Sequence, residues 1–307
     1  GVGPSRAILG DWNIPEGSME IIRHRFIIYT GELNDKELME EWIEYGGERA
    51  SWALWNLARE EGREEKFLNP QEAVDNMTIM DGFNVNAWAS EPMITQPMAF
   101  CWDDKGRLWI AENMDMFGSG NGIHVTKESR ILILEDTDMD GKADSKKVFV
   151  DGLVFPSAIA VGFDGLWVGV PPNLLFIPDR NKDDKADIAD IEVRLTGWGD
   201  TDLHETLNSF NWGPDGWLYG AQGSTSTADI KGVKFLGQAI WRYHPITREF
   251  ELFAEGGGNT WSVAFDRKGR LFSGTNKGGV RGLHFVPGGY YVKSWTKHGP
   301  LTNPFTF

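Results

Sequence analysis

One cassette recurs four times and limits what this chain can become. It reads FCWDDKGRLWIAE at 100–112, IAVGFDGLWVGV at 159–170, FNWGPDGWLYGAQ at 210–222 and VAFDRKGRLFSGT at 263–275. Each copy is an apolar strand, an Asp-containing turn closed by glycine, then a strand carrying an aromatic. The turn glycines Gly106, Gly165, Gly216 and Gly269 stand 59, 51 and 53 residues apart. Glycine supplies the positive φ of tight hairpins, so each cassette predicts an antiparallel pair. Short strands repeating about every fifty residues predict an all-β fold, the β-propeller, with four strands to a blade. About four blades are marked and six are expected, so the propeller over 69–307 reads as incomplete at its C-terminal end. Either the chain is a fragment or another segment closes the ring.

Ahead of the repeats the signals are mixed and mainly helical. Met19–Thr30 reads as one or two strands. A capping-box pattern at Asn34–Glu37 precedes a helical face of Leu38, Met39, Trp42 and Ile43, and Ser51–Glu61 forms a second helix. Residues 1–68 therefore form an N-terminal segment of unassigned fold with a helical hairpin. A third, short helix starts at Asn69-Pro70, with Asn69 as cap and proline in the first turn. From Phe83 the period changes to two, and Phe83, Val85 and Ala87 read as one face of a strand.

A formal charge of −15 argues against nucleic acid or an anionic membrane as partner, and suits cations, sugars or other neutral ligands. The single cysteine, Cys101, excludes an internal disulfide and a covalent c-type haem on this chain, and reads as a buried, inert thiol. No stretch reaches the apolar length of a membrane span. The chain opens GVGPSRA, without Met or an apolar leader, as a processed or partial product would.

Two acidic loops follow apolar strands: EDTDMDGKADSKKV at 135–148 and DRNKDDKAD at 179–187. Carboxylates at alternate positions of one tight loop can converge on a hard cation, and Ca2+ takes six to eight oxygens. The first loop offers Asp136, Asp138, Asp140 and Asp144. The second offers Asp179, Asn181, Asp183 and Asp187, with Asp190 at position twelve. Asp and Gly also simply make good turns, but four clustered charges repel one another unless neutralised. A metal in such a hairpin loop would staple the fold rather than catalyse.

The order NPQEAVDNMTIMDGFNVNAWASEP, QPMAFCWDDKGRLWIAEN, ILILEDTDMDGKADSKKVFVDGL, LLFIPDRNKDDKADI, HETLNSFNWGPDGWLYGAQGS resembles the dehydrogenase-like propellers found in planctomycetes, grouped there with haem-binding proteins. These are similar in turn to pyrroloquinoline-quinone (PQQ) glucose and sorbosone dehydrogenases. The resemblance covers residues 69–307. It implies a six-bladed propeller, a periplasmic or extracellular location, calcium, oxidation of a carbohydrate or alcohol, and electron transfer to a c-type cytochrome module. It further implies a histidine general base some eight residues before a GPDG turn, here Gly213–Gly216. That position holds Glu205, with His204 just before it, and Asp202 near enough to orient the ring. Asn208, Gln222 and Asn259 are the cofactor-side candidates. Asn259 stands where the family's quinone-binding arginine is expected, so a tricarboxylate quinone loses a charge-assisted contact there. Trp212, Trp217 and Tyr219 read as inter-blade core, and Trp198 and Trp261, near glycine-rich loops, as sugar-stacking candidates. Two other activities fit this architecture: a non-catalytic glycan-binding or assembly module of a larger extracellular complex, and a calcium-dependent hydrolase of the lactonase sort.

Overall fold

The computed structural model describes residues 68–115, 126–186, 188–200, 206–223, 226–275 and 282–293. The chain divides into two compact units, residues 1–69 and 70–307. The strand and helices expected before residue 68 lie outside the described residues. One short helix, α1 (Pro70–Asp75), buries no side chain and opens on the expected proline.

Blade 1 is a four-stranded sheet of β1 (Pro97–Trp102), β2 (Leu108–Glu112), β3 (Ser129–Glu135) and β4 (Ser145–Leu153) in chain order. Blade 2 repeats it with β5 (Ala158–Val161), β6 (Gly165–Val170), β7 (Asn173–Pro178) and β8 (Glu192–Thr196). Blade 3 starts with β9 (Leu207–Trp212) and β10 (Leu218–Gln222). An inserted hairpin follows, β11 (Thr227–Ile230) and β12 (Val233–Leu236), before β13 (Ala239–Tyr243) and β14 (Phe250–Glu255) complete the blade. Blade 4 shows β15 (Trp261–Phe265), β16 (Leu271–Gly274) and β17 (Gly282–Phe285), and β18 (Gly289–Tyr290) returns to pair parallel with β14. The first strands neighbour one another in turn, β1 beside β5, β5 beside β9 and β9 beside β15. The sheets therefore succeed one another about an axis, as the cassette spacing predicts.

Cores lie between consecutive sheets. Trp109, Ile131, Ile133 and Phe149 of blade 1 meet Ile159, Leu166, Val168 and Ile177 of blade 2. On the other face of blade 2, Trp167, Leu174 and Phe176 meet Leu207, Trp241 and Tyr243 of blade 3. Tyr219, Ile240 and Phe253 then face Val263, Leu271 and Phe285 of blade 4. Because β6 is covered on both faces, GLWVGV is apolar throughout instead of alternating. Trp212 and Tyr219 sit at these inter-blade seams as expected, and Trp212 Nε1 donates to Val161 O across one of them (2.7 Å).

Three local expectations change. Residues 83–88 form no strand; Trp88 O instead accepts from Ala143 N (2.8 Å) and Asn86 Nδ2 donates to Gly141 O, so this segment docks on the first acidic loop. Trp198 is not available for stacking: it is 2% exposed and lies 5.0 Å from Trp241, ring to ring. Trp261 keeps 41% exposure. Finally, Gly106, Gly216 and Gly269 adopt positive φ, but Gly165 does not; Phe163 (φ 57°) and Asp164 (φ 58°) make that turn. Between the last cross-strand pair of the hairpin the second cassette has four residues (Val161 to Leu166) where the first has five (Trp102 to Leu108), which selects a two-residue loop with both central φ values positive. Gly165 is needed for another reason, since a Cβ there would lie 2.5 Å from Ile177 O.

Candidate functional site

Both acidic loops connect the third and fourth strands of a blade, and they share one conformation. In the first, Asp140 N donates to Asp136 Oδ1 (3.2 Å) and Asp138 Oδ1 (3.2 Å), Gly141 N to Asp136 Oδ2 (2.9 Å), and Lys142 N to Asp140 Oδ1 (2.8 Å). In the second, Asp183 N donates to Asp179 Oδ1 (3.2 Å) and Asn181 Oδ1 (3.3 Å), Asp184 N to Asp179 Oδ2 (3.3 Å), and Lys185 N to Asp183 Oδ1 (3.0 Å). Positive φ falls at Met139 and Gly141 in one loop, and at Lys182 and Asp184 in the other. The repeated sequence therefore folds as a repeated turn.

Their charges are handled differently. In the first loop Asp136, Asp138 and Asp144 each offer a carboxylate oxygen, all within 4.8 Å of one another. Asp144 also accepts from Thr137 N (3.2 Å) and Oγ1 (2.7 Å), which fixes it across the loop. Three hard oxygen donors at this spacing fit Ca2+, which would relieve their mutual repulsion. Among the described residues no such group forms in the second loop. There Asn181 replaces one carboxylate, Asp190 turns to Arg180 Nη1 (2.6 Å), and Asp187 lies outside the described residues. Asp184, in the glycine position, is held by Arg107 Nη1 (2.8 Å) and by Lys147 Nζ. Side-chain cations of blade 1 thus occupy the role that a metal could take.

Sequence reading missed this knot, although the DDKGR turn signals part of it. Asp103 accepts Lys105 N (2.9 Å), Arg107 N (2.9 Å) and Arg107 Nε (2.8 Å), and Asp266 repeats the pattern with Lys268 and Arg270. Burial alone would raise the Asp184 carboxyl, but Lys147 and Arg107 outweigh it and hold it below the usual carboxylate range. Arg107→Ala is expected to cost about 2 kcal/mol, because it takes the guanidinium from two largely buried carboxylates and leaves Asp184 with Lys147 as its side-chain cation. Urea unfolding of the two proteins checks this, and an unchanged midpoint would show the knot to be decorative.

Of the central-mouth candidates, Asp202, His204 and Glu205 lie outside the described residues. Asn208 on β9 and Gln222 on β10 are fully buried. Asn208 Nδ2 donates to Thr206 O (2.9 Å) and Thr260 O (3.3 Å), and Gln222 Nε2 to Ser226 O (2.6 Å). Asn208 Oδ1 and Gln222 Oε1 have no partner among the described residues. Both side chains are fully enclosed, so neither presents a donor to a cofactor in the mouth. Asn259 is half-buried beside Thr260. Cys101 lies on β1, where desolvation pushes its thiol up to about 12, so it stays protonated and unreactive.

The sheets in chain order define a β-propeller with acidic hairpin loops. The sequence matches the profile of the family described as a domain of unknown function (DUF7133) over residues 69–303, and the chain belongs to that family. No curated protein matches. Among solved structures, it is similar to a candidate oxidoreductase (glucose dehydrogenase) from Thermus thermophilus, with 19% identity and TM-score 0.46 over 69% of this chain and 67% of that one. It is also similar to a PQQ-bound aldose sugar dehydrogenase from Streptomyces coelicolor, with 15% identity and TM-score 0.44 over 67% and 64% of the two chains. A calcium-binding regucalcin from Agrobacterium tumefaciens matches at 13% identity and TM-score 0.40, over 63% of each chain. Likeness this distant carries no argument about chemistry. Among the described residues no helix is long and apolar enough to cross a membrane.

Proposed function

We propose that this chain is a calcium-binding β-propeller of the sugar-dehydrogenase-like type. The convergence of Asp136, Asp138 and Asp144 on one point carries the metal reading. Calcium titration of the whole chain is expected to show one saturable site, weakened at least about tenfold in Asp138→Asn. At a hundredfold excess over Kd, calcium should add about 2.7 kcal/mol of stability, visible as a raised melting temperature, with about half that gain or less in Asp138→Asn at the same calcium concentration. No heat of binding and no thermal shift would remove the metal from this reading.

The catalytic reading is that a carbohydrate or alcohol is oxidised at the central mouth of an exported protein, with electrons leaving to a cytochrome-type acceptor. His204 would act as base, supported by Asp202 or Glu205. The sequence resemblance over 131–222 supports it; the hydride would have to pass to a bound organic redox cofactor before single electrons could reach a cytochrome, and Asn208 and Gln222, both fully buried, would not hold that cofactor. Dye reduction with a panel of aldoses, with and without added PQQ, is expected to show turnover that His204→Ala abolishes. Absence of turnover in both conditions would favour the second reading, a non-catalytic glycan-binding or assembly module. The enclosure of Asn208 and Gln222, which withdraws two polar groups from the mouth, supports that alternative.

A further inference from the structure

A cleft lies at the strand ends that carry the β1–β2 and β5–β6 turns and the β7–β8 loop, opposite the segments that lead into β1, β5 and β9. It occupies about 430 Å³ between the first hairpin turns of blades 1 and 2 and the second acidic loop. Two aromatic rings on its lining remain open to solvent, Trp102 at 55% and Phe163 at 47% exposure. Each is steadied from behind, Trp102 by the edge of Trp88 at 5.4 Å and Phe163 by Trp212 at 5.0 Å.

Phe163 is the unusual one. A bulky residue at positive φ is strained, and hairpin turns of this kind normally use Asn, Asp or Gly there. Among the described aromatics only Phe155 shares the condition, and Phe155 is fully buried, so core packing offsets its strain. Phe163 recovers only part of that burial while presenting its ring at the tip of a turn. Strain retained at an exposed ring points to a use for the ring.

The rest of the lining mixes signs: Asp104, Asp164 and Asp179 alongside Lys105 and Lys182. Lys182 Nζ and Asp164 Oδ1 stand 3.5 Å apart, both well exposed. Any strongly charged ligand meets a like charge here, whereas a neutral polyhydroxylated one finds donors and acceptors together. The volume is that of a small-ligand site. We propose that this cleft binds a neutral oligosaccharide, whose apolar ring faces stack on Trp102 and Phe163 while its hydroxyls meet Asp104, Asp164 and Lys182. Its lining includes no residue of the first acidic loop and neither Asn208, Gln222 nor Asn259, and it stands whether or not the chain is catalytic.

The test uses the whole chain with cellohexaose, xylohexaose and maltohexaose as probes and an oligogalacturonate as charged control, read by tryptophan fluorescence and calorimetry. At least one neutral hexasaccharide is expected to bind saturably, and Trp102→Ala and Phe163→Gly each to weaken it about tenfold or more. Phe163→Gly is the decisive variant, because glycine adopts positive φ freely and the fold should not suffer. Its melting temperature is expected to stay level or rise while binding is lost. Failure of all three neutral probes up to millimolar concentration, binding of the charged oligomer alone, or unchanged binding in Phe163→Gly would each overturn the proposal.

Discussion

Trp241→Ala is expected to lower the unfolding free energy by about 3–5 kcal/mol, the usual cost of emptying a large core position. Trp241 is fully buried on β13, with Trp198 at 5.0 Å and Phe210 at 5.6 Å, ring to ring. Its cross-strand partner on β10 is Gly220, and a Cβ at Gly220 would lie 2.2 Å from Trp241 Cζ2. The ring therefore uses the space that glycine leaves, and neighbours anchored on separate strands cannot close the void once the ring is gone. Two further measurements separate this from a general loss of apolar area. Trp241→Phe should recover part of the stability, since the indole Nε1 has no hydrogen-bond partner among the described residues to forfeit. Gly220→Ala should be costly in wild type and nearly harmless in Trp241→Ala, a coupling readable from urea midpoints at constant m. Additive effects would show that the two residues do not share the space.

Asp115→Ala is expected to cost about 3 kcal/mol or more, because it leaves several buried donors without an acceptor. Asp115 follows β2 and is fully buried. Its Oδ1 accepts from Thr126 N (2.7 Å) and Oγ1 (2.8 Å), and its Oδ2 from Ser129 Oγ (2.6 Å) and Phe155 N (2.7 Å). One carboxylate thus ties the start of β3 to the link between blades 1 and 2. Burial alone would raise this acid, but the hydrogen bonds from Ser129, Phe155 and Thr126 prevail and hold it below the ordinary carboxylate range. A depressed folded-state pKa stabilises above the unfolded value, about 3.9 for Asp, and that contribution fades as pH falls through the folded value. Asp103 and Asp184 shift in the same direction, so the three act together. Stability should therefore hold from pH 8 to about pH 5 with respect to these groups and decline below it. Asp115→Asn should be destabilised at neutral pH, because its amide nitrogen faces donors, and its acid limb should be shallower. An acid limb identical to wild type would mean that Asp115 does not contribute.

Much of this was legible along the chain. The four cassettes announced antiparallel hairpins about every fifty residues, though not that the second would turn differently, and the first strands do succeed one another around an axis. The two acidic nonapeptides announced a repeated turn, and the same backbone hydrogen bonds recur in both, because Asp side chains cap the amides of their own loop whatever surrounds them. These are local rules, written in residues a few positions apart.

What the sequence could not decide was which charges meet. Asp184 stands in the second acidic loop where the first has its glycine, yet Arg107, seventy-seven positions away, reaches it from blade 1. Trp198 sat among glycines and read as exposed, but the path of the chain carries it under Trp241. Residues 83–88 had a strand's alternation without a strand's partner, and an edge exists only when another segment is brought beside it. The amino-acid order by itself determined the hairpins, their spacing and the acidic turns, since neighbours in sequence settle those. Only the tertiary structure decided which acid is matched by a cation and which ring is left open, because burial and Coulomb energy depend on distances that close between residues of different blades.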